Sequence, residues 1–192
     1  MPQPRTESFM TVVEDFATPE EVERIYNHMV ENSQDDPRDN YRFYGVAGPE
    51  ILDDVTYPWD PTGVLSRVAN YVNDFFIDRY GFGDEFVLNR VHGNIMEVGA
   101  ALHTHKDEAY ASNTKDSVQN QDHVYDKKTY ACSFFLNDDY EGGEFVFYDQ
   151  DQVLKPKPGT LVIFAGHGTT HEVREVTKGA RVNVLFMFYE WL

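Results

Sequence analysis

Thr160-Leu161-Val162-Ile163-Phe164-Ala165, Thr169-Thr170-His171-Glu172-Val173-Arg174 and Arg181-Val182-Asn183-Val184-Leu185-Phe186-Met187-Phe188-Tyr189-Glu190 follow one another across short, glycine-containing joins. β-Branched and aromatic residues are frequent in these runs, as suits strands packed on a neighbouring sheet. Lys157-Pro158-Gly159 ahead of the first run is a turn signal. Runs of the same kind reach back toward the middle of the chain, at 86–92, 94–98, 101–106, 129–136, 144–148 and 152–155, with Glu141-Gly142-Gly143 as a further turn. Many short strands separated by tight turns predict a mainly β fold, a sandwich or closed barrel.

The first part of the chain reads differently. Thr18 followed by Pro19, Glu20 and Glu21 predicts a helix start: a capping residue, a proline in the first turn, and acids at the positive end of the helix dipole. Val22, Ile25, Met29 and Val30 then recur at helical spacing. Asp60-Pro61 predicts a second opening of the same kind, with Val64, Leu65, Val68, Tyr71, Val72, Phe75 and Phe76 on one stripe and Gly81 as the stop. The polar stretch 34–60 between them, carrying Tyr41, Phe43 and Tyr44, reads as loop with one short strand. The 192 residues therefore suggest a single domain, with supporting helices and loop over 1–84 and a β core over 85–192. Residues 108–127 interrupt that core with a mostly polar insertion, and a loop so long is commonly a lid or binding loop.

The formal net charge is −17 and no basic stripe occurs, which disfavours nucleic acid and anionic membranes as partners. Cys132 is the only cysteine, so an intrachain disulfide and a thiolate zinc site are both excluded. Its apolar neighbours, Tyr130-Ala131-Cys132-Ser133-Phe134, mark it as a small buried hydrophobe. The N-terminus has no apolar signal core and no stretch is long enough to span a membrane, so a soluble, cytoplasmic protein is the expectation.

Seven histidines remain to be sorted. His28 falls off the apolar stripe of the first helix and is expected to be solvated. His123 sits in the polar insertion, and His92 ends a run beside Gly93 with its role undecided. His105-Lys106-Asp107 offers an imidazole and a carboxylate two residues apart, a spacing that puts both on one face of a strand. His103-Thr104-His105 is a rival pair. His171 has no second histidine four residues on, which excludes a zinc-protease helix. Two histidines and one carboxylate would leave one side of an octahedral iron open for a chelating co-substrate and dioxygen. Arg181, ten residues after His171, supplies a permanent planar cation suited to a carboxylate.

Taken in order, these motifs are similar to those of a known family. Val12-Val13-Glu14-Asp15-Phe16 precedes the Pro-Glu-Glu helix, and Glu97-Val98-Gly99 leads through Leu102 to His105-x-Asp107. Phe134-Phe135-Leu136-Asn137-Asp138 is followed by Glu141-Gly142-Gly143-Glu144, then Lys155-Pro156-x-Pro158-Gly159 and Leu161-Val162-Ile163-Phe164. His171-Glu172-Val173, Val176, Gly179 and Arg181 close the series. In these features the chain resembles the iron(II)/2-oxoglutarate-dependent oxygenases of the prolyl 4-hydroxylase type, over nearly its whole length. The resemblance implies a double-stranded β-helix, or jelly-roll, core. It implies Fe(II) held by His105, Asp107 and His171, with 2-oxoglutarate chelating the metal and Arg181 binding its distal carboxylate. The implied reaction consumes O2, decarboxylates 2-oxoglutarate to succinate and hydroxylates a C–H bond, with ascorbate as an accessory reductant. A prolyl residue of a peptide or protein is the implied substrate. A free amino acid or small metabolite, or a non-catalytic metal- or partner-binding barrel, are the alternatives.

The sequence departs from the family pattern in three places. Met96 and Phe135 stand where relatives carry tyrosines that support the co-substrate, and Asn89, Asn94 and Ser133 are candidates to compensate. The third departure is the insertion 108–127, either a lid over the metal with Tyr110 as a contact or a plain surface loop.

Overall fold

The computed structural model describes residues 8–107 and 127–191. His123, Tyr110 and nearly all of the insertion lie outside the described residues. In chain order the elements are β1 (Met10–Val13), α1 (Pro19–Asn32), β2 (Gln34–Asp35), β3 (Tyr41–Ala47), α2 (Val64–Tyr80), β4 (Phe86–Met96), β5 (Leu102–His105), β6 (Lys127–Phe135), β7 (Glu141–Gly142), β8 (Phe145–Phe147), β9 (Gln152–Leu154), β10 (Leu161–Phe164), β11 (His171–Val173), β12 (Val176–Lys178) and β13 (Arg181–Trp191). A 3₁₀ turn over Pro49–Leu52 completes the list.

Pairing is antiparallel throughout. A large sheet runs β1-β10-β6-β13-β4-β3-β2, a smaller one β5-β11-β8-β9, and β12 pairs with β7. The two larger sheets face each other as the jelly-roll expected from the sequence. Alternation along each strand of the large sheet sends one set of side chains to the helices and the other inward. On the helix side, Val68, Val72 and Phe76 of α2 and Ile25 and Met29 of α1 pack on Leu88, Val91, Cys132, Phe134, Val184 and Phe186. Cys132 is fully buried there, as expected. Between the sheets lies a second cluster that includes Met96, Phe135, Phe145, Phe147, Phe164 and Val173. The candidate site is built into this inner layer.

Both helices form where expected, with one correction. Thr18 and Glu21 make the reciprocal capping box at the start of α1. Glu21 also takes a two-pronged ion pair from Arg67 of α2, at 3.1 Å on each oxygen, so the cap of one helix is tied to the body of the other. The second helix begins at Val64, not at Pro61. Gly63 sits in the left-handed region (φ 62°) and breaks the chain direction. The Asp60 carboxylate then reaches forward to accept from the amides of Val64 and Leu65 at 2.9 and 3.0 Å. It caps the helix from farther back than a residue adjoining the first turn.

Further corrections concern the strands and His28. Runs 86–92 and 94–98 are one strand, β4, because Gly93 is not a break but a point of close approach to α1. A Cβ there would lie 2.5 Å from Met29 Sδ and 3.6 Å from Tyr44 Cβ. The stretch 34–60 carries two strands and a 3₁₀ turn instead of one short strand. His28 is half-buried, stacked on Trp59 at 4.2 Å and hydrogen-bonded to the Tyr44 hydroxyl at 2.8 Å.

Candidate metal centre

His105 ends β5, and β11 runs antiparallel beside it with His171 directly opposite His105. The two rings lie 4.4 Å apart between centroids. Asp107 is two residues past His105, but it lies beyond the end of the strand, so alternation is not what aims it. Its backbone is held from two sides. Its amide donates to Gly166 O at 3.0 Å, and its carbonyl accepts from the Thr129 hydroxyl. The carboxylate Oδ1 then sits 3.4 Å from His105 Nε2 and 3.6 Å from His171 Nε2. All three donor atoms lie within 4.8 Å of one another.

The other nitrogen of each ring fixes what the inner one can do. Nδ1 of His105 faces the carbonyl of His103 at 2.6 Å, and Nδ1 of His171 faces the carbonyl of Thr169 at 2.9 Å. A carbonyl can only accept, so Nδ1 carries the proton and Nε2 keeps a free lone pair. Burial alone would raise the Asp107 carboxyl; when the two rings carry a second proton on Nε2, their hydrogen bonds and positive charge hold it far below the usual range, and a metal ion at the same point would take the place of those protons. The result is two imidazole nitrogens and one carboxylate oxygen converging on one point, a donor set that fits ferrous iron with one side left open. His103, the rival read from sequence, is exposed and contributes only its backbone carbonyl.

Arg181 starts β13 on the large sheet, facing the triad across the inner layer. It is 3% exposed, and no carboxylate pairs with it among the described residues. Nη1 donates to Asn183 Oδ1 at 2.8 Å, and Nε has no partner among the described residues. The guanidinium lies over the Phe135 ring at 4.8 Å and the Phe145 ring at 5.6 Å. Triad and Arg181 line the same cavity, of about 370 Å³.

A family model described as the 2OG-Fe(II) oxygenase superfamily matches residues 91–189, more than half of the chain. The chain belongs to the 2OG-Fe(II) oxygenase superfamily. Human prolyl 3-hydroxylase 2 is 38% identical over 71 residues, 34% of this chain, and the match spans only about a tenth of that relative's length. Among solved structures, a viral collagen prolyl hydroxylase from Paramecium bursaria Chlorella virus-1, in complex with 2-oxoglutarate, superimposes with a TM-score of 0.65. It covers 96% of this chain and 97% of its own at 15% identity. A Pseudomonas putida prolyl-4-hydroxylase gives 0.63 over 95% and 92% at 13% identity.

At the two positions where the resemblance led us to expect tyrosines, the side chains present contact Arg181. Phe135 presents its ring face to Arg181, and Met96 presents its sulfur to Nη1 at 3.4 Å. The hydrogen bonding moves to Asn183, which the sequence reading passed over. Asn183 is two residues after Arg181 and so shares its face of the strand, and its amide donates to Ser133 Oγ at 2.8 Å. Of the three candidates to compensate, Ser133 and Asn94 line the cavity, whereas Asn89 is exposed and outside it. Tyr41 also lines the cavity, and its hydroxyl donates to Ala101 O at 2.7 Å.

Proposed function

We propose that this oxygenase hydroxylates a prolyl residue in a peptide or protein, with His105, Asp107 and His171 holding the iron and Arg181 holding the distal carboxylate of 2-oxoglutarate. The single observation that carries the reading is the convergence of two imidazole Nε2 atoms and one carboxylate oxygen in the cavity that also holds a buried guanidinium lacking a carboxylate partner among the described residues. A buried, uncompensated cation is costly, and an anionic ligand removes that cost. The prolyl substrate is supported by the stretch shared with prolyl 3-hydroxylase 2.

Bound iron supplies the oxidative decarboxylation of 2-oxoglutarate coupled to C–H hydroxylation. The chain's own residues do the rest. The carbonyls of His103 and Thr169 keep both rings in the tautomer that presents Nε2 inward. Arg181 orients the co-substrate from the opposite sheet, and Asn183 fixes the guanidinium that does so. Phe145 and Phe164, packed against His171 at 5.7 and 4.9 Å, keep water from the metal side of the cavity.

The protein loaded with iron(II) is expected to convert 2-oxoglutarate to succinate. Mass spectrometry of proline-containing peptides and free amino acids incubated with it then identifies the substrate class by one added oxygen. No succinate from iron-loaded protein would overturn the assignment of the site, and oxygen added only to a free amino acid would overturn the peptide substrate.

A further inference from the structure

The inward face of the large sheet continues well beyond Arg181. Along β4 the residues facing the cavity are Met96, Asn94, His92 and Arg90. Across from them on β13 stand Arg181, Asn183, Leu185 and Met187 in matching register. His92 is thus four residues along from Met96, and Arg90 six, or roughly 13 and 20 Å at the rise of a strand. That is too far for the five-carbon acid anchored at Arg181 to reach both ends. The acid anchored at Arg181 therefore leaves the His92 and Arg90 end of the cavity free for another ligand.

Two features at that far end are unfinished. His92 is 6% exposed and lines the cavity, yet its Nδ1 has no hydrogen-bond partner among the described residues. Arg90 also lines the cavity, exposed at its rim, and among the described residues its Nε and Nη2 donate only to the thioether sulfur of Met187, at 3.3 and 3.1 Å. A thioether is a weak acceptor, so the guanidinium keeps its charge without an anion among the described residues. Arg38, which reaches the same end, is already neutralised by a bidentate pair with Asp36 at 2.8 and 2.9 Å. Asp36 therefore cancels one arginine and leaves the other. Phe43 packs against His92 at 5.1 Å and gives this end an apolar wall. A cationic, half-satisfied pocket in a chain of net charge −17 stands against the field of the whole molecule, which repels anions elsewhere.

We propose that Arg90 and His92 form an anion subsite that takes a carboxylate of the primary substrate, placed across the cavity from the co-substrate. The inference rests on the oxygenase reading of the site. Arg90 supplies the charge and a two-pronged fork, and His92 supplies the donor that its unpartnered nitrogen lacks a use for at present. Burial pushes His92 down to about 3, aided by the neighbouring guanidiniums of Arg90 and Arg38. The ring is then neutral, and a neutral imidazole donates one hydrogen bond while Arg90 carries the charge. The carboxylate can be the α-carboxylate of a free amino acid or an acidic side chain next to the modified residue of a peptide.

Paired probes separate these sources. Manganese-loaded protein holding 2-oxoglutarate is titrated by calorimetry with L-proline against L-prolinamide. It is then titrated with end-capped Glu-Pro-Gly against end-capped Gln-Pro-Gly. The acidic member of at least one pair is expected to bind about tenfold or more tightly, the scale of a charge-assisted hydrogen bond. Arg90→Gln is expected to erase that preference and Arg90→Lys to keep part of it, with thermal unfolding confirming that both variants fold. A preference in the first pair assigns an amino acid, and in the second an acidic peptide. Equal affinities within both pairs, no binding by any probe, or a preference that survives Arg90→Gln would overturn the subsite. Succinate production by the iron-loaded parent is measured alongside, and its absence would overturn the oxygenase site instead.

Discussion

Gly166 lacks a side chain because Asp107 occupies the space one would need. A Cβ on Gly166 would fall 2.7 Å from Asp107 Cβ and 2.9 Å from its carboxyl carbon, while the Gly166 carbonyl already holds the Asp107 amide. We expect Gly166→Ala to push the carboxylate off its line to the two histidines and weaken metal binding about 10- to 100-fold, the cost seen when groups that orient ligands are lost. Iron or manganese titration reads this directly, and unchanged affinity would mean that Asp107 can be aimed without the glycine. Arg181→Met keeps an apolar side chain in the slot between Phe135 and Phe145 but removes the charge. It is expected to weaken 2-oxoglutarate binding by about 1.5–3 kcal/mol, roughly 10- to 150-fold, the worth of a hydrogen bond to a charged group. An unaltered KM for 2-oxoglutarate would place its distal carboxylate elsewhere. His105, Asp107, His171 and Arg181 could all be picked out in the sequence, because each is a chemically rare residue at a telling distance from the next. Gly166 and Thr129 could not. Their contribution is a backbone contact with Asp107 made across the fold, and neither residue type advertises that.

Elements were legible to the extent that a local signal marks them. The Thr18-to-Glu21 capping box lies within four residues, and α1 starts where it says. At α2 the signal misleads, since Asp-Pro resembles a helix opening while Gly63 delays it. The carboxylate is nonetheless indispensable to that helix. Asp60 is 1% exposed and satisfies two amides of the first turn, so Asp60→Ala is expected to cost about 1–3 kcal/mol in urea unfolding. A loss below roughly 0.5 kcal/mol would show that these amides find other partners. Gly93 misleads in the opposite sense, dividing in the sequence a strand that is continuous in space because the glycine accommodates Met29 of α1. Which strands pair was not legible at all. β10 lies between β1 and β6, and β13 between β6 and β4, neighbours set by tertiary packing instead of by chain order.

At the scale of the whole molecule, the buried His92 links stability to pH. Its ordinary value is 6.5 and burial, with Arg90 and Arg38 nearby, lowers it to about 3. The unfolded chain therefore takes up a proton near neutrality that the folded protein refuses until far greater acidity. Between those values the unfolded state binds more protons, so this group's contribution is complete above the unfolded value and is lost as pH falls toward about 3. The slope is at most about 1.4 kcal/mol per pH unit. His92→Phe is expected to flatten the fall in urea-unfolding free energy between about pH 6.5 and pH 5, with equal slopes in parent and variant as the contrary result. His105 shifts the other way, raised by its hydrogen bond to Asp107, but it is common to both proteins and cancels in the difference.

The alternation that puts Arg181 inward also limits how the acid we propose it binds can be exchanged for another. Only every second residue of β13 faces the cavity, so moving the guanidinium along its face means a jump of roughly 6.6 Å. Lengthening or shortening an oxo-acid by one carbon changes it by only about 1.5 Å. Sliding the strand thus overshoots any neighbouring homologue. Choice of co-substrate length is in this sense digital, written in whole strand repeats, and finer tuning has to come from exchanging the side chains around the guanidinium, Met96, Phe135 and Asn183 first among them.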